Sequence, residues 1–339
     1  MSEAKHCIFC GIKHEGKICP PSAFVVMTCS NCNSEEIMPG DVAAMSMSIA
    51  CGNCDNVGWK VRPATYDIMK KHNPDYGKYC VNMRAFDLKK INSATKYPSI
   101  LTYHALGDRG SLKEEVLVSF SADDEIFLSE KIDGTNARII LFPKGTYLIG
   151  SREELLYGFG DWIHNPTLDI VDTIQTVADN ARRIYWDQLE QSVFVLFGEV
   201  YGGKAGTAKN YTKTGKLGFR LFDVIMMEAK EFEDLLDLPI EKIAAWRDNG
   251  GQNFVGVRTI ASVAADIRCL IVPSIIGACP PQTIQGTYDW LKNLLPGMSN
   301  ALLENDALGK PEGVVVRTEQ RSKIAKIRFE DYERTLRKR

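Results

Sequence analysis

Seven of the ten cysteines fall between Cys7 and Cys54, and they constrain the start of the chain more tightly than any other feature. Cys29-x2-Cys32 and Cys51-x2-Cys54, with eighteen residues between the pairs, have the spacing of a tetrahedral four-cysteine zinc site of ribbon type. Thiolates bind zinc tightly, so the metal would supply much of the folding energy of so small a unit. The reading requires a reducing compartment, where clustered cysteines bind metal rather than pair as disulfides. Met1 to Gly11 offers polar residues and cysteines where a signal peptide needs an apolar core. No stretch approaches the roughly 20 apolar residues that span a bilayer. A soluble, intracellular, cytoplasmic protein without a membrane partner is expected.

A second set lies upstream, Cys7-x2-Cys10-x3-His14-x4-Cys19. It is similar to a zinc knuckle, with the gap before the histidine one residue short, and it makes Cys7, Cys10, His14 and Cys19 candidate ligands of a second zinc. The alternatives are an exposed His14, or a fourth ligand from His6 or elsewhere. Cys80, Cys269 and Cys279 stand alone and read as ordinary thiols.

The chain of 339 residues has room for two or three domains. Its net charge of −2 excludes an overall basic character, so a nucleic-acid partner must be held by local positive patches. One such patch runs from Arg317 to Arg339, with nine Lys/Arg against four Asp/Glu. Three zones follow from the pattern: residues 1–62 as the zinc-binding module, 63–95 as a polar connector with helical signals at Tyr66–His72 and Phe86–Ile91, and 96–339 as an α+β domain. Strand-like runs in the last zone are Glu125–Glu130, Ala137–Phe142, Thr146–Ser151, Ser192–Glu199, Gly218–Met226, Gly313–Arg317 and Lys323–Arg328. Apolar residues at three- to four-residue spacing predict a helix over Thr167–Asp187. Further helical signals between Lys230 and Asn305 are broken at Gly250–Gly251 and Pro280–Pro281. Strands this spread out, separated by unequal helices, predict mixed or antiparallel sheets rather than a doubly wound one.

The densest chemical signal is Ser129-Glu130-Lys131-Ile132-Asp133-Gly134-Thr135-Asn136. An apolar strand runs into a lysine, then a carboxylate, then a glycine. A lysine at a strand end can be held still, and burial or nearby cations favour the neutral amine that attacks an electrophile. Gly134 lets backbone approach a ligand closely. Alone, Lys-x-Asp-Gly is equally a plain turn after a strand. Four other features follow in order: Phe197-Gly198-Glu199, Phe219-Arg220-Leu221-Phe222-Asp223-Val224, Glu312-Gly313-Val314-Val315-Val316 and Ile324-Ala325-Lys326-Ile327-Arg328. Alternation puts Lys326 and Arg328 side by side. A lysine, two carboxylates, an aromatic platform and a cation pair are what nucleotidyl transfer needs.

In that order the segments resemble motifs I, III, IIIa, IV and V of the covalent nucleotidyltransferases: ATP-dependent DNA ligases, RNA ligases and mRNA capping enzymes. The closer resemblance is to the RNA ligase 2 family, which shares Glu130-Lys131-x-x-Gly134-Thr135-Asn136 and an opening like Lys96-Tyr97-Pro98-Ser99-Ile100. It covers roughly residues 96–330 and implies an ATP-grasp-like ligase nucleotidyltransferase domain.

What the resemblance implies is an ATP-dependent RNA ligase using Mg2+ or Mn2+, with Lys131 the nucleophile that carries AMP. Arg152 corresponds to the arginine at the phosphate or reacting strand end, Glu199 to the ribose-binding glutamate, and Phe219 to the aromatic on adenine, with Phe222 assigned to the core. Glu312 corresponds to the metal-associated carboxylate, Lys326 to the lysine on the α-phosphate, and Asn136 to an asparagine near the nucleotide. Glu130 and Asp133 would be outer contacts, with Asp133 alternatively capping the turn, and Arg138 reads as a solvated surface charge. Arg328 departs from the usual second lysine, which alters its expected contact. Asn136 stands where DNA ligases and capping enzymes carry arginine, and only eleven residues follow Arg328, too few for their OB-fold. Both features favour RNA over DNA. The alternatives are a DNA ligase without an OB-fold and a zinc-dependent nucleic-acid-binding protein with an inactive ligase domain.

Overall fold

The computed structural model describes residues 24–39, 50–64, 68, 87–143, 146–158, 161–163, 169–185, 191–203 and 207–337. The chain divides into two compact units, residues 1–91 with 157–163, and residues 92–156 with 164–339. The Cys7–Cys19 set and, apart from Ile68, the Tyr66–His72 helical signal lie outside the described residues.

In the first unit, β1 (Phe24–Cys29) is the centre of a three-stranded antiparallel sheet, with β2 (Glu35–Pro39) and β3 (Trp59–Pro63) on either side. Cys29 and Cys32 sit on the turn leaving β1, and Cys51 and Cys54 on a turn leading into β3. The residue after each pair, Asn33 (φ 56°) and Asp55 (φ 55°), is left-handed. Asn and Asp tolerate that conformation better than other side chains with a Cβ. A tight turn of this kind folds the cysteines back toward each other.

Helix α1 (Leu88–Ala94) lies where Phe86–Ile91 had signalled one. Asp87 caps it, its Oδ1 accepting the Lys89 and Lys90 N–H groups at 3.1 and 3.2 Å. The second unit holds the two-stranded β4 (His104–Leu106) and β5 (Leu112–Val116), then β6 (Ile126–Lys131), β7 (Thr135–Phe142), β8 (Thr146–Ser151) and the start of β9 (Leu155–Gly158); the end of β9, in the first unit, pairs with β10 (Asp161–Trp162). Helix α2 (Ile170–Ile184) leads to the long strands β11 (Ser192–Gly202) and β12 (Leu217–Glu228). After them come α3 (Ala229–Leu236), α4 (Ile240–Asp248), α5 (Val257–Asp266), β13 (Ser274–Ile275) and α6 (Ile284–Leu294). β14 (Gly313–Thr318), β15 (Ile324–Arg328) and α7 (Phe329–Leu336) complete it.

Two sheets organise this unit, one running β9-β8-β7-β11-β12 and the other β13-β6-β14-β15. The strand pairings are antiparallel, as the spread of strands predicts. Leu128, Val314, Val316, Ala325 and Ile327 of the smaller sheet form a core with Ile284 and Leu291 of α6 and Tyr332 of α7. Helix α2 buries Ile170, Val171, Ile174, Ala178 and Ala181 along one face, as its periodicity requires.

Arg138 corrects the expectation of a solvated charge. It lies on β7 between β8 and β11 and is fully buried, because the sheet face that carries it is covered. Alternation told its face but not whether that face was open. Burial pulls its guanidinium down to about 9, so it remains cationic at neutral pH. No helix among the described residues is long and apolar enough to cross a membrane.

Candidate active site

Lys131 is the last residue of β6, and the β6–β14 register sets it opposite Gly313. That pairing brings Glu312 beside it, and the Lys131 Nζ donates to Glu312 Oε2 at 2.5 Å. At Gly313 an added Cβ would fall 2.0 Å from the Ile327 carbonyl oxygen, so only glycine lets β14 and β15 close at this point. Burial holds the Glu312 carboxyl above its usual range, against the pull of Lys131. β15 places Lys326 opposite Val315 and Arg328 opposite Gly313. The two cations then part company. Lys326 lines the cavity described below, its amine lowered by burial and then by Arg328 and Lys131. Arg328 instead forks onto Asp331, at 2.8 and 2.9 Å, and Asp331 also takes Arg334. The planar guanidinium explains the departure, since it can satisfy a buried carboxylate with two parallel bonds where an ammonium cannot.

Glu199 faces Asn136 across the β11–β7 pairing. Gly134 makes the approach possible, because a Cβ there would fall 2.4 Å from the Val200 carbonyl oxygen, and its N–H bonds the Glu199 carboxylate. Burial pushes the Glu199 carboxyl up to about 8; Lys131 opposes the shift and Glu312 reinforces it. A carboxyl raised on folding binds an extra proton in the native state. Its contribution to stability is present below the ordinary carboxylate value near 4.5 and is lost as pH rises through about 8. Thermal melts of the ligand-free protein are therefore expected to fall between pH 6 and pH 9 more steeply in the wild type than in Glu199→Gln. Equal slopes would show that Glu199 is not the buried acid described.

Lys131, Glu130, Gly134, Asn136, Arg152, Glu199 and Lys326 line one cavity of about 350 Å³. Asp133, Phe219, Glu312 and Arg328 do not line it; Glu312 meets the site through its bond to Lys131, and the Asp133 N–H donates to Tyr211 Oη at 2.8 Å. Glu130 is turned into structure. Its buried carboxylate accepts from the Ser299 hydroxyl and, at 2.7 Å, from the Asn300 N–H.

The aromatic on the cavity wall is Phe222 rather than Phe219. The β11–β12 register slips at Phe197/Gly198: Phe197 pairs with Asp223 and Gly198 with Leu221, so Phe222 is the extra residue of a bulge. The Phe219 ring meanwhile lies over Gly198, where a Cβ would stand 2.2 Å from it.

Sequence reasoning left the support for this wall unassigned. Tyr97 meets Phe222 and Phe197 edge-on at 5.0 Å and donates to Asp223 Oδ2 at 2.8 Å. Asp223, 1% exposed, also pairs with Arg317 at 2.8 Å and Arg321 at 3.0 Å. Arg321 lies 3.6 Å over the Phe254 ring. The available signals were Tyr97 in Lys-Tyr-Pro-Ser-Ile and a carboxylate inside an apolar strand.

The donors suit two kinds of metal. The Asn136 Oδ1 is buried without a hydrogen-bond partner among the described residues, an acceptor left for a ligand or a metal-bound water. With Glu312 it offers the hard oxygen donors that magnesium or manganese takes. In the first unit the Sγ atoms of Cys29, Cys32, Cys51 and Cys54 all lie within 4.8 Å of one another, two pairs at 3.6 Å. Tetrahedral zinc with bonds of about 2.3 Å needs sulfurs about 3.8 Å apart. The Cys29 thiol is held down to about 6, first by the Cys32 N–H, and the Ser34 hydroxyl lowers that of Cys32. Both favour the thiolate that zinc binds.

No curated protein matches the chain. Among solved structures, Naegleria gruberi RNA ligase, in a lysine-to-alanine variant with ATP and manganese, is similar at 15% identity over 72% of this chain and 65% of its own, with a TM-score of 0.41. A ligand-free variant of the same enzyme covers 90% and 73% at 14% identity and a TM-score of 0.44. An archaeal ATP-dependent RNA ligase covers 70% and 49% at 16% identity and a TM-score of 0.40. The chain thus spans just under two thirds of the first of these and about half of the last. The model of the RNA ligase family, in contrast, matches residues 124–329, from just before the Lys131 strand to just after Arg328. That segment is more than half of the sequence, and the chain belongs to the RNA ligase family.

Proposed function

We propose that the protein is an ATP-dependent RNA ligase that joins 3′-hydroxyl and 5′-phosphate ends. The observation that carries the reading is that Lys131, Asn136, Glu199 and Lys326 line one cavity together with the aromatic Phe222, and that Glu312 is bonded to Lys131, all within the family-matched segment. Lys131 Nζ attacks the α-phosphorus of ATP, a P–N bond forms, and pyrophosphate leaves with the electrons of the broken P–O bond. Glu312 Oε2, at 2.5 Å, is placed to take the proton that Nζ releases. Lys326 offsets charge on the phosphate, Glu199 binds the ribose, and Arg152 meets the phosphate at the cavity rim. Phe222, and not Phe219, stacks on the base.

A divalent ion held by Glu312 and near Asn136 would further offset phosphate charge. In the second step the strand's 5′-phosphate oxygen displaces Lys131, giving an AMP-capped end. The 3′-hydroxyl then attacks that end and releases AMP. The Cys29/Cys32/Cys51/Cys54 set binds structural zinc, and its module contacts the RNA. RNA is favoured over DNA by the family match and by Asn136 at the position where DNA ligases carry arginine.

The test pairs α-phosphate-labelled ATP with nicked 5′-phosphorylated RNA and with matched DNA. Covalent label on the protein and sealing of RNA are expected. Sealing of DNA alone would favour the DNA ligase, and no covalent label in folded protein would leave only a nucleic-acid-binding role. Phe222→Ala is expected to raise the KM for ATP up to about tenfold, the worth of one stacked aromatic contact. Phe219→Ala should leave that KM within about twofold of the wild type; a larger effect from Phe219 would reverse the assignment.

A further inference from the structure

Arg138 is the largest fully buried side chain among the described residues, yet it forms no ion pair among them; the Glu153 carboxylate acts on it only through its charge at longer range. Among those residues its Nε and Nη1 have no hydrogen-bond partner, and Nη2 donates to Asn92 Oδ1. A buried cation left half-satisfied is costly, and an apolar side chain of similar volume would commonly serve the fold as well. A role other than stability would account for it, and its single bond points to one.

Asn92 is a relay. It accepts from Arg138 and donates through Nδ2 to the Glu153 carbonyl at 2.8 Å. Glu153 belongs to the tight turn between β8 and β9. That turn closes with Ser151 N–H to Glu154 O at 2.8 Å and Glu154 N–H to Ser151 Oγ at 3.1 Å. A second strut reaches the same residue, Lys96 Nζ to Glu153 Oε2 at 2.8 Å. Asn92 itself stands on a fixed base: Arg247 donates to the Ser93 carbonyl at 2.8 Å, and Gln252 donates to the Ala94 and Lys96 carbonyls, each at 2.9 Å. Gly150 leaves space for the guanidinium, since a Cβ there would lie 2.9 Å from Arg138 Nε. The residue this turn carries is Arg152. Its side chain lines the cavity but is 62% exposed, and among the described residues its ion-pair partner is Glu153 at 3.5 Å. That partner belongs to the same turn, so the position of Arg152 follows that of the turn.

We infer that Arg138 is a positioning residue: through Asn92 it holds the Ser151–Glu154 turn so that Arg152 stays at the rim of the cavity. The inference rests on the ligase reading for what Arg152 does there, but not for the mechanical link. Arg138→Met keeps the volume and removes the donor, and Asn92→Ala removes the relay while leaving Arg138.

The experiment has two arms. In the first, amide hydrogen exchange of Ser151–Glu154 is measured in folded full-length protein, and about tenfold faster exchange is expected in both variants. In the second, the rates of Lys131 labelling by ATP and of RNA sealing are measured for each variant, with and without Arg152→Ala. A drop of about ten- to a hundredfold is expected in the slower of the two steps with Arg152 present, and no further drop once Arg152 is gone. A merely structural Arg138 would lower the rates equally in both backgrounds, and that additivity would overturn the inference, as would unchanged exchange in the turn. If Arg138→Met fails to fold, Asn92→Ala decides the question by the same readings. Failure of the ligase reading would show separately, as a wild-type protein that takes no label, and the exchange arm would still judge the link.

Discussion

Lys131→Ala is expected to abolish the covalent protein–AMP adduct and to slow joining of ordinary 5′-phosphorylated RNA by about a thousandfold or more, since no second group can supply the lost nucleophile. The other amine on the cavity wall, Lys326, is placed on a different strand and is assigned to the phosphate. The variant should fold. Its main new defect is a Glu312 carboxyl without its partner, and burial already raises that group toward its neutral form. The informative comparison uses RNA that already carries AMP on its 5′ end. Such a strand bypasses the step that needs Lys131, and its joining should stay within about tenfold of the wild type. Intact-mass measurement for the adduct and gel sealing for both substrates check this. An adduct persisting in Lys131→Ala would move the nucleophile elsewhere. Equal loss on both substrates would mean that Lys131 does more than carry AMP.

The second large effect concerns the zinc module. Residues 24–39 and 50–64 bury few apolar side chains, chiefly Val26, Met27 and Ala64 beside Cys29 and Cys51. A sheet of three short strands with so small a core does not hold itself together. Zinc at the four cysteines, with apparent affinities on the order of 10 kcal/mol or more, would then be the main folding energy of this sheet. Cys32→Ser combined with Cys51→Ser is expected to lose the zinc bound at this set and to unfold residues 24–64, seen as loss of amide protection in β1, β2 and β3. Lys131 labelling, built from residues in the second unit, should persist within about threefold, while RNA sealing falls further. Substitution is preferable to a chelator because it leaves magnesium in place. Protection that survives without zinc would show a module stable on its own. Sealing at the wild-type rate after deletion of residues 1–62 would remove the module from substrate recognition.

Much of this protein is legible one residue after another. The two Cys-x2-Cys pairs announce their cluster because zinc dictates local spacing, and the Asn and Asp that follow them are suited to the left-handed turns they adopt. Strand β6 ending on Lys131, Glu199 within β11 and Glu312 at the head of β14 could be read because each is a local pattern, a charged residue set against an apolar run. Helix α2 (Ile170–Ile184) showed itself by period alone, inside the span its apolar spacing suggested.

What the sequence could not decide depended on partners distant along the chain. Phe219 and Phe222 were separable only by the bulge at Phe197/Gly198, which is a mismatch between two strands and leaves no period in either. Arg138 looked like a surface charge because alternation assigns a face, while burial depends on what covers that face. Arg328 looked like Lys326's companion until Asp331, three residues on and folded beneath it, claimed both branches of its guanidinium. Asp223 gave no hint that Tyr97, Arg317 and Arg321 would converge on it from 94 to 126 residues away. Sequence therefore determined the chemistry available, through residue types at local spacing. Tertiary structure decided which of those residues face the cavity and which are spent holding its walls, because a side chain's free valences are settled by neighbours that only the packed sheets bring within reach.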